Sequence, residues 1–358
     1  MAFDLKQIVP WGRSFREYTA MFGLTENDLR KNIVSCGDGP AGFNAEMRKQ
    51  GHRVISCDPL YKYSAEEIKA QIDKTYDKVL SQLKANKKDF VWKTFKTPAE
   101  TGRARMHAMQ SFLADYGRGK REGRYIAESL PKLSFTDSEF DLALSSHFLF
   151  LYTAKLSLRF HLKAVTEMCR IAKEVRIFPL LDLGGKESSY LKPIITKLKK
   201  QGFEADIRKV DYEFQRGGNK MLRIHRPPRM EHRITHMAKE NFLVIKTSGR
   251  MNADDFITMA KDILQHPSFL TNGNALFDHT SLDFKGVPLR ELDKIRAFHM
   301  GNERTIGGGR SAILVKTGLA EAWHNLWAQG KKIRTANKTR VFENKNDALD
   351  WLKGEEKC

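Results

Sequence analysis

The sequence predicts an α/β protein of two domains, a doubly wound sheet followed by a smaller α/β domain. Residues 32–61 read as strand, glycine-rich turn, helix and strand, which is the first half of a nucleotide-binding unit. Apolar runs and helical periodicity then alternate along the chain. A length of 358 residues allows two cores. The run His-Arg-Pro-Pro-Arg at 225–229 breaks both strand and helix, so we expect domains over 1–229 and 230–358.

The composition limits the kinds of partner, compartment and metal site that the protein can be expected to have. Most of the net charge of +19 falls in residues 1–229, so the first domain is expected to attract an anionic partner or a nucleic acid, although a solvated surface explains the same charge. No apolar run is long enough for a membrane span, and the first residues lack a signal-peptide pattern, which predicts a cytoplasmic protein. Four scattered cysteines without a CxxC pair indicate reduced packing residues and no metal site.

The elements of the first domain follow in order. A helix over 13–23 closes at Gly23, and Thr25 begins a short turn. After the strand at 33–34, Pro40 is expected to open a helix to residue 50. Ser64 and Glu67 form a capping box for a helix to residue 86. The remaining strands are predicted at 53–57, 125–127, 140–144, 174–179, 205–210 and 220–225, with a helix over 156–172 and a hairpin turn before the last strand.

Residues 87–124 are rich in basic side chains with interleaved aromatic ones. A simple crossover between parallel strands needs fewer residues, so we interpret the segment as an insertion near the ligand site that acts as a lid. Phosphate contact and base stacking would make it a nucleic-acid surface. A lid with its aromatic rings packed inward explains the same residues.

The second domain is predicted to alternate short strands and helices. The strands are expected at 233–237, 242–248, 275–278, 311–315 and 339–342, and the helices at 253–264, 289–300, 319–328 and 346–353. Asn252 is a candidate cap for the first of these helices.

The glycine turn fits two ligands. Gly37, Gly39 and Gly42 satisfy G-x-G-x-x-G, and Asp58 follows at the distance of a ribose-binding acid, so a flavin or nicotinamide dinucleotide is one reading. Asp38 lies inside the turn, where it would repel a pyrophosphate and attract the sulfonium and ammonium of S-adenosylmethionine. The alternative is that Asp38 points to solvent and caps the helix.

Further stretches carry a family resemblance. VPWGRSF, IVSCGDGPAGFNAE, VISCDPLY, FDLALSSHFLFLY, EVRIFPLL and YEFQRGGNKML, within about residues 9–225, resemble a bacterial class I S-adenosylmethionine-dependent methyltransferase family. The resemblance implies a Rossmann-like seven-stranded methyltransferase sheet whose final strand is antiparallel. It also implies S-adenosyl-L-methionine as cofactor and methyl transfer to an acceptor that remains unknown.

The resemblance also implies the site residues. Gly37, Asp38 and Gly39 would line the methionine part of the cofactor. Asp58 would hold the ribose. Pro59 and Leu60 would lie near the adenine, and Ser129 or Glu128 would contact its amine. Ser145 and Ser146 would contribute from the end of the fourth strand. Trp11, Gly12 and Arg13 would close the site from the N-terminal side, with Arg13 paired to the cofactor carboxylate.

Three polar residues bear on catalysis. His147 is the candidate general base by residue type and position, with a buried structural imidazole as the alternative. His161 lies in an apolar helix pattern and is expected to be structural. Ser35 stands where many such enzymes carry an acid, so either Asp38 supplies the charge or cofactor affinity is reduced.

Residues of about 231–353 resemble a STAS domain of the anti-sigma-factor-antagonist-like type, through FLVIKTSGRMNADDF, NALFDHTSLDF and RVFENKNDALDWL. This resemblance implies a STAS-like domain that regulates or docks a protein partner. It places Thr280 and Ser281 where such domains can be phosphorylated; the alternative is that they are two turn residues that cap the next element. The sequence therefore predicts a methyltransferase, with a catalytically silent S-adenosylmethionine-binding scaffold and a flavin- or NAD-binding oxidoreductase as alternatives.

Overall fold

The structure is a computed structural model that describes residues 10–328 and 336–354. The chain divides into two compact units, Met1–Arg226 and Pro227–Cys358, and each contains its own sheet. Within the described ranges, no helix is both long and apolar enough to cross a membrane.

The first unit is built on seven strands. They are β1 (Ile33–Cys36), β2 (Val54–Cys57), β3 (Tyr125–Ile126), β4 (Phe140–Ser146), β5 (Ala172–Phe178), β6 (Glu204–Lys209) and β7 (Lys220–His225). Their spatial order is β3-β2-β1-β4-β5-β7-β6, and β7 runs antiparallel to both of its neighbours. The predicted Rossmann-like seven-stranded methyltransferase sheet, with its antiparallel final strand, is confirmed.

Helices cover both faces of this sheet. They are α1 (Phe15–Phe22), α2 (Glu26–Leu29), α3 (Phe43–Lys49), α4 (Ala65–Ala85), α5 (Pro98–Arg121), α6 (Leu158–Ile171) and α7 (Leu191–Lys200). Because side chains alternate along a strand, Ile33 packs with residues of α1 and α3, whereas Val34 packs with residues of α6 and α7. Neighbouring positions of β1 thus bury their side chains in different halves of the core.

The pairing of β1 determines where a ligand crevice lies. β1 pairs in parallel with β2 on one side and with β4 on the other, so the chain order reverses between β1 and β4. In open α/β sheets, ligands bind beyond the carboxyl ends of the strands at such a reversal. The glycine turn follows β1 at this edge, and residues 145–147 lie at the end of β4.

Local capping explains several helix ends. Ser14, Thr25 and Ser64 each form a capping box, and Gly23 ends α1 in the left-handed conformation. The expectation that Pro40 opens a helix is wrong. α3 begins three residues later, at Phe43, because Gly42 uses its N–H to bond the carbonyl of Arg13 and holds the preceding residues in a turn.

The segment over residues 87–124 packs into the first unit and contributes Phe90 to a pocket; its role as a lid stays a prediction. It contains a 3₁₀ turn (Lys87–Asp89) and α5, which packs on α3 and α4. Phe112 and Tyr116 lie one helical turn apart and are fully buried, and Phe90 and Phe95 pack around Phe214. These four buried rings cannot stack on nucleic-acid bases, so the inward-packed alternative holds for them, whereas Trp92 of the same segment is half-buried.

The second unit has a five-stranded sheet. Its strands are β8 (Glu231–Met237), β9 (Phe242–Arg250), β10 (Ala275–Asp283), β11 (Arg310–Leu314) and β12 (Lys338–Phe342), in the order β12-β11-β10-β9-β8. All neighbours are parallel except β8 and β9. The helices are α8 (Ala253–Leu264), α9 (Leu289–Gly301), α10 (Glu303–Ile306), α11 (Ala320–Ala328) and α12 (Lys345–Lys353). The small α/β architecture is confirmed, and Asn252 caps α8.

Thr280 and Ser281 do not occupy a turn. β10 continues to Asp283, and its pairing with β9 shifts register between Asp278 and Ser281. The Thr280 hydroxyl donates a hydrogen bond to the Asp278 carboxylate at 2.6 Å. The two residues therefore lie at an irregularity within a strand.

Candidate functional site

The turn after β1 requires glycine at two positions. Gly37 and Gly39 have φ values of 68° and 57°, which side-chain-bearing residues rarely adopt. A Cβ atom on Gly37 would lie 2.8 Å from the Phe148 ring, whereas one on Gly39 would meet no atom within 4 Å. The Gly37 N–H bonds the Cys57 carbonyl, which ties the turn to the end of β2. The turn is thus a tight cradle with Phe148 against one wall.

Asp38 points into the protein. Its carboxylate accepts hydrogen bonds from the hydroxyls of Tyr18, Ser35 and Ser56, the last at 2.6 Å. Burial raises the pKa of Asp38, and the three hydroxyl donors partly offset the rise. The alternative that Asp38 points to solvent and caps the helix is wrong. Ser35 supplies one of these hydroxyls, so serine and acid meet at the base of the turn.

Asp58 lies beyond β2, at the edge that also carries the glycine turn. Its carboxylate accepts the Gly39 N–H at 2.9 Å and the Leu60 N–H at 2.8 Å. Burial raises the pKa of Asp58 to about 6, the two N–H donors lower it, and the nearby charge of Asp38 adds to the rise. The acid is therefore positioned by the turn itself, and its pKa lies above that of an ordinary aspartate.

The end of β4 supplies Ser145, Ser146 and His147. Ser145 and Ser146 are the last residues of the strand, two residues beyond its expected end. The Ser145 hydroxyl is buried and has no hydrogen-bond partner among the described residues. The Ser146 hydroxyl lies 2.9 Å from His147 Nδ1.

His147 has a strained backbone and an uncharged ring. Its φ is 53°, and its N–H bonds the Phe178 carbonyl, which holds this conformation. Burial lowers the pKa of His147 well below its ordinary value, and the positive charges of Arg13 and Arg105 lower it further. The imidazole is thus neutral at pH 7, the form that can accept a proton, although the lowered pKa makes it a weaker base than an ordinary histidine.

The segment before α1 crosses the glycine turn. Gly12 packs so closely on Pro40 that a Cβ atom there would lie 2.1 Å from the Pro40 carbonyl oxygen. The Trp11 ring packs on Tyr76 at 5.6 Å. Arg13 donates from Nη1 to the Trp11 carbonyl, while its Nε is buried without a hydrogen-bond partner among the described residues.

A pocket of about 120 Å³ opens beside these residues. Arg13, His147, Tyr152, Tyr212 and Gln215 contribute its polar lining, and the remainder is mostly aromatic and aliphatic. The structure thus brings Trp11, Arg13 and His147 together around one pocket.

Other expected contacts do not line this pocket. Pro59 is exposed at the start of a 3₁₀ turn (Pro59–Lys62). Ser129 is exposed after β3, in an isolated bridge with Lys132, and the Glu128 carboxylate accepts hydrogen bonds from Ser134. Their contacts with an adenine, like the cofactor roles of the other site residues, stay predictions.

Sequence reasoning missed the buried charges behind the pocket. Arg105 of α5 pairs with Glu17 of α1 and also donates to the Tyr212 hydroxyl at 3.3 Å. Burial raises the pKa of Glu17, but the Arg105 guanidinium more than offsets this and holds it at about 2. The only signal was a basic residue on an otherwise apolar helix stripe.

Two expectations about structural residues are tested directly. His161 is fully buried, and its ring bonds the Phe150 N–H and the Ser157 carbonyl, so the prediction of a structural histidine is confirmed. Cys36, Cys57 and Cys169 are buried and unpaired, and Cys358 lies outside the described residues. Within the described ranges, no cluster of three or more histidine, cysteine or acidic side chains is suited to a metal ion.

Fold and site geometry together define a Rossmann-like seven-stranded sheet with a crevice between β1 and β4. No protein-family model matches the chain. It is 39% identical over 224 residues to the uncharacterized protein MJ0045 of Methanocaldococcus jannaschii, and the alignment covers 62% of this chain and 98% of that protein. The chain belongs to the family of that protein.

Three solved structures show weak likeness. An S-adenosylmethionine-dependent methyltransferase from Thermotoga maritima is 14% identical, and the match covers 59% of this chain and 87% of that protein with a TM-score of 0.29. One from Methanosarcina mazei is 15% identical, and the match covers 56% of this chain and 91% of that protein, also with a TM-score of 0.29. An uncharacterized DUF3478-family protein with a SpoIIAA-like fold from Shewanella loihica is 24% identical, with 34% and 93% coverage and a TM-score of 0.26. At these TM-scores no functional conclusion follows.

Proposed function

We propose that the first unit binds S-adenosyl-L-methionine and transfers its methyl group to an acceptor. The observation that carries the proposal is the strand order, with an antiparallel β7 and the glycine turn at the reversal between β1 and β4. The common dinucleotide-binding sheet has the order 3-2-1-4-5-6, so an extra antiparallel strand between the last two favours a methyl donor over a flavin or a nicotinamide dinucleotide.

The proposed roles follow from position. Asp58 accepts hydrogen bonds from the ribose hydroxyls and exchanges its present backbone donors for them. Gly37 and Gly39 let the cofactor approach the backbone. His147 accepts a proton from the acceptor when the nucleophile carries one. Holding nucleophile and methyl group in line supplies much of the rate.

Calorimetry on the full chain tests the proposal. Titrations with S-adenosylmethionine, S-adenosylhomocysteine, FAD and NAD should give one-to-one binding of the first two only. Tight binding of FAD or NAD without binding of S-adenosylhomocysteine would make the protein an oxidoreductase candidate.

A catalytically silent scaffold is the second candidate. It is favoured by Asp38, whose oxygens are occupied by protein hydroxyls, and by Ser35 in place of an acid. Labelled S-adenosylmethionine incubated with fractionated cell extract separates the two candidates. Transfer of label to any fraction supports an enzyme, whereas cofactor binding with no transfer to any fraction supports a scaffold.

We propose further that the second unit is a STAS-like domain that regulates the protein or docks a protein partner. The resemblance of its strand and helix segments supports this role. Mass spectrometry of protein purified from its own cells tests for phosphate on Thr280 or Ser281, with T280A and S281A variants as controls. Unmodified residues in every growth condition would count against phosphorylation.

A further inference from the structure

The pocket beside His147 has the size and lining of a site for one small ring. Its apolar wall includes Leu83, Phe90, Leu151, Phe178, Leu183 and Phe214. An apolar cavity of about 150 Å³ holds a benzene molecule, so a pocket of about 120 Å³ suits a single ring or a short aliphatic chain. The wall alone would favour an uncharged occupant.

Arg13 adds to an excess of positive charge at this pocket. Glu17 forms an ion pair with Arg105 and attracts Arg13 without such a pair, so two guanidinium groups share one carboxylate. Burial and repulsion from Arg105 lower the pKa of Arg13 to about 10 against the attraction of Glu17, and the guanidinium remains charged at neutral pH. Arg13 as a residue is half-buried, but its Nε is buried and has no hydrogen-bond partner among the described residues. A buried donor on a cation is costly unless an acceptor, best an anion, satisfies it.

His147 adds a neutral base to the same lining. If Nδ1 carries the ring proton and donates a hydrogen bond to the Ser146 hydroxyl, Nε2 is free to accept a proton. In the transfer, the acceptor nucleophile bonds the methyl carbon while the carbon–sulfur bond breaks and leaves its electron pair on sulfur. The proton lost by the nucleophile passes to His147 Nε2, and S-adenosylhomocysteine is the second product.

We infer that this pocket holds the methyl acceptor, and that the acceptor is a small, largely apolar acid whose anionic group pairs with Arg13. The inference rests on the proposed methyl transfer. The Arg13 backbone contacts the glycine turn through Gly42, but Arg13 lines the pocket, whose lining contains neither the glycine turn nor Asp58. We therefore assign the Arg13 guanidinium to the acceptor. This differs from the expectation that Arg13 binds the cofactor carboxylate.

Calorimetry with matched probes tests the charge preference. Benzoate and hexanoate are titrated into the full chain, with and without saturating S-adenosylhomocysteine, beside their neutral amides benzamide and hexanamide. At least one acid should bind at least tenfold more tightly than its amide, and R13Q should remove that preference. R16Q, at an exposed position of α1, is the control and should retain it. Failure of both acids to bind, or equal binding of acids and amides, overturns the inference.

A second comparison separates the two roles of Arg13. S-adenosylmethionine and decarboxylated S-adenosylmethionine are titrated into wild type and R13Q. Equal, small effects of R13Q on both donors support the acceptor role. Weakening of S-adenosylmethionine alone would assign Arg13 to the cofactor carboxylate and overturn the inference, while the proposed function stands. Binding of benzoate without any binding of S-adenosylhomocysteine would overturn the proposed function and retain the acid pocket.

Discussion

The titration of Asp58 predicts how cofactor affinity depends on pH. The carboxylate is ionised above a pKa of about 6 in the ligand-free protein, and the ionised form accepts the ribose hydroxyls best. Binding is therefore full above this pKa and is lost as the pH falls through it. The dissociation constant of S-adenosylhomocysteine should rise about tenfold between pH 7 and pH 5, since about one molecule in ten remains ionised at pH 5.

Isothermal titration across this range measures the effect. D58N should weaken binding at pH 7 by about ten- to hundredfold, because a hydrogen bond to a charged group contributes about 1.5–3 kcal/mol. Its affinity should also become independent of pH, and D58A should abolish measurable binding. D73N, at an exposed position of α4, should behave as wild type. A flat wild-type profile, or D58N with unchanged affinity, would refute the assignment of Asp58 to the ribose.

Three further predictions concern the same unit. H147A should keep S-adenosylhomocysteine binding and lose turnover once an acceptor is found; equal turnover would remove its role as base. R105M should lower the free energy of unfolding by about 3–5 kcal/mol in urea titrations, because it leaves a buried carboxylate unpaired, whereas K69M at an exposed ion pair should change it little. G37A should abolish cofactor binding and should lower the free energy of unfolding more than G51A does. Both glycines have positive φ, but only a Cβ atom on Gly37 would meet a ring, that of Phe148. Equal losses of stability in the two variants would contradict this steric reasoning.

Local signals predicted much of the first unit. β1 and β2 are short apolar runs on either side of a turn that needs glycine, and Ser64 with Glu67 fixes the start of α4 through contacts three residues apart. Such features depend on neighbours in sequence, so a single sequence contains them. The antiparallel last strand was predicted by the hairpin turn before it and by the family resemblance.

The buried polar contacts could not be predicted in this way. The direction of Asp38 depends on Tyr18 and Ser56, which lie 20 and 18 residues away, and Arg105 meets Glu17 across 88 residues. Nothing in a sequence spacing reports which hydroxyls meet on one face of a folded sheet. The inward packing of residues 87–124 was only partly readable, from aromatic residues one helical turn apart.

A crystal structure of the full chain with S-adenosylhomocysteine would test the central claim most directly. The account predicts ribose hydroxyls within hydrogen-bonding distance of the Asp58 carboxylate, the amino-acid part against Gly37 and Gly39, and the sulfur facing the pocket lined by Arg13 and His147. A ligand bound away from the edge between β1 and β4, or with its sulfur turned from that pocket, would contradict it.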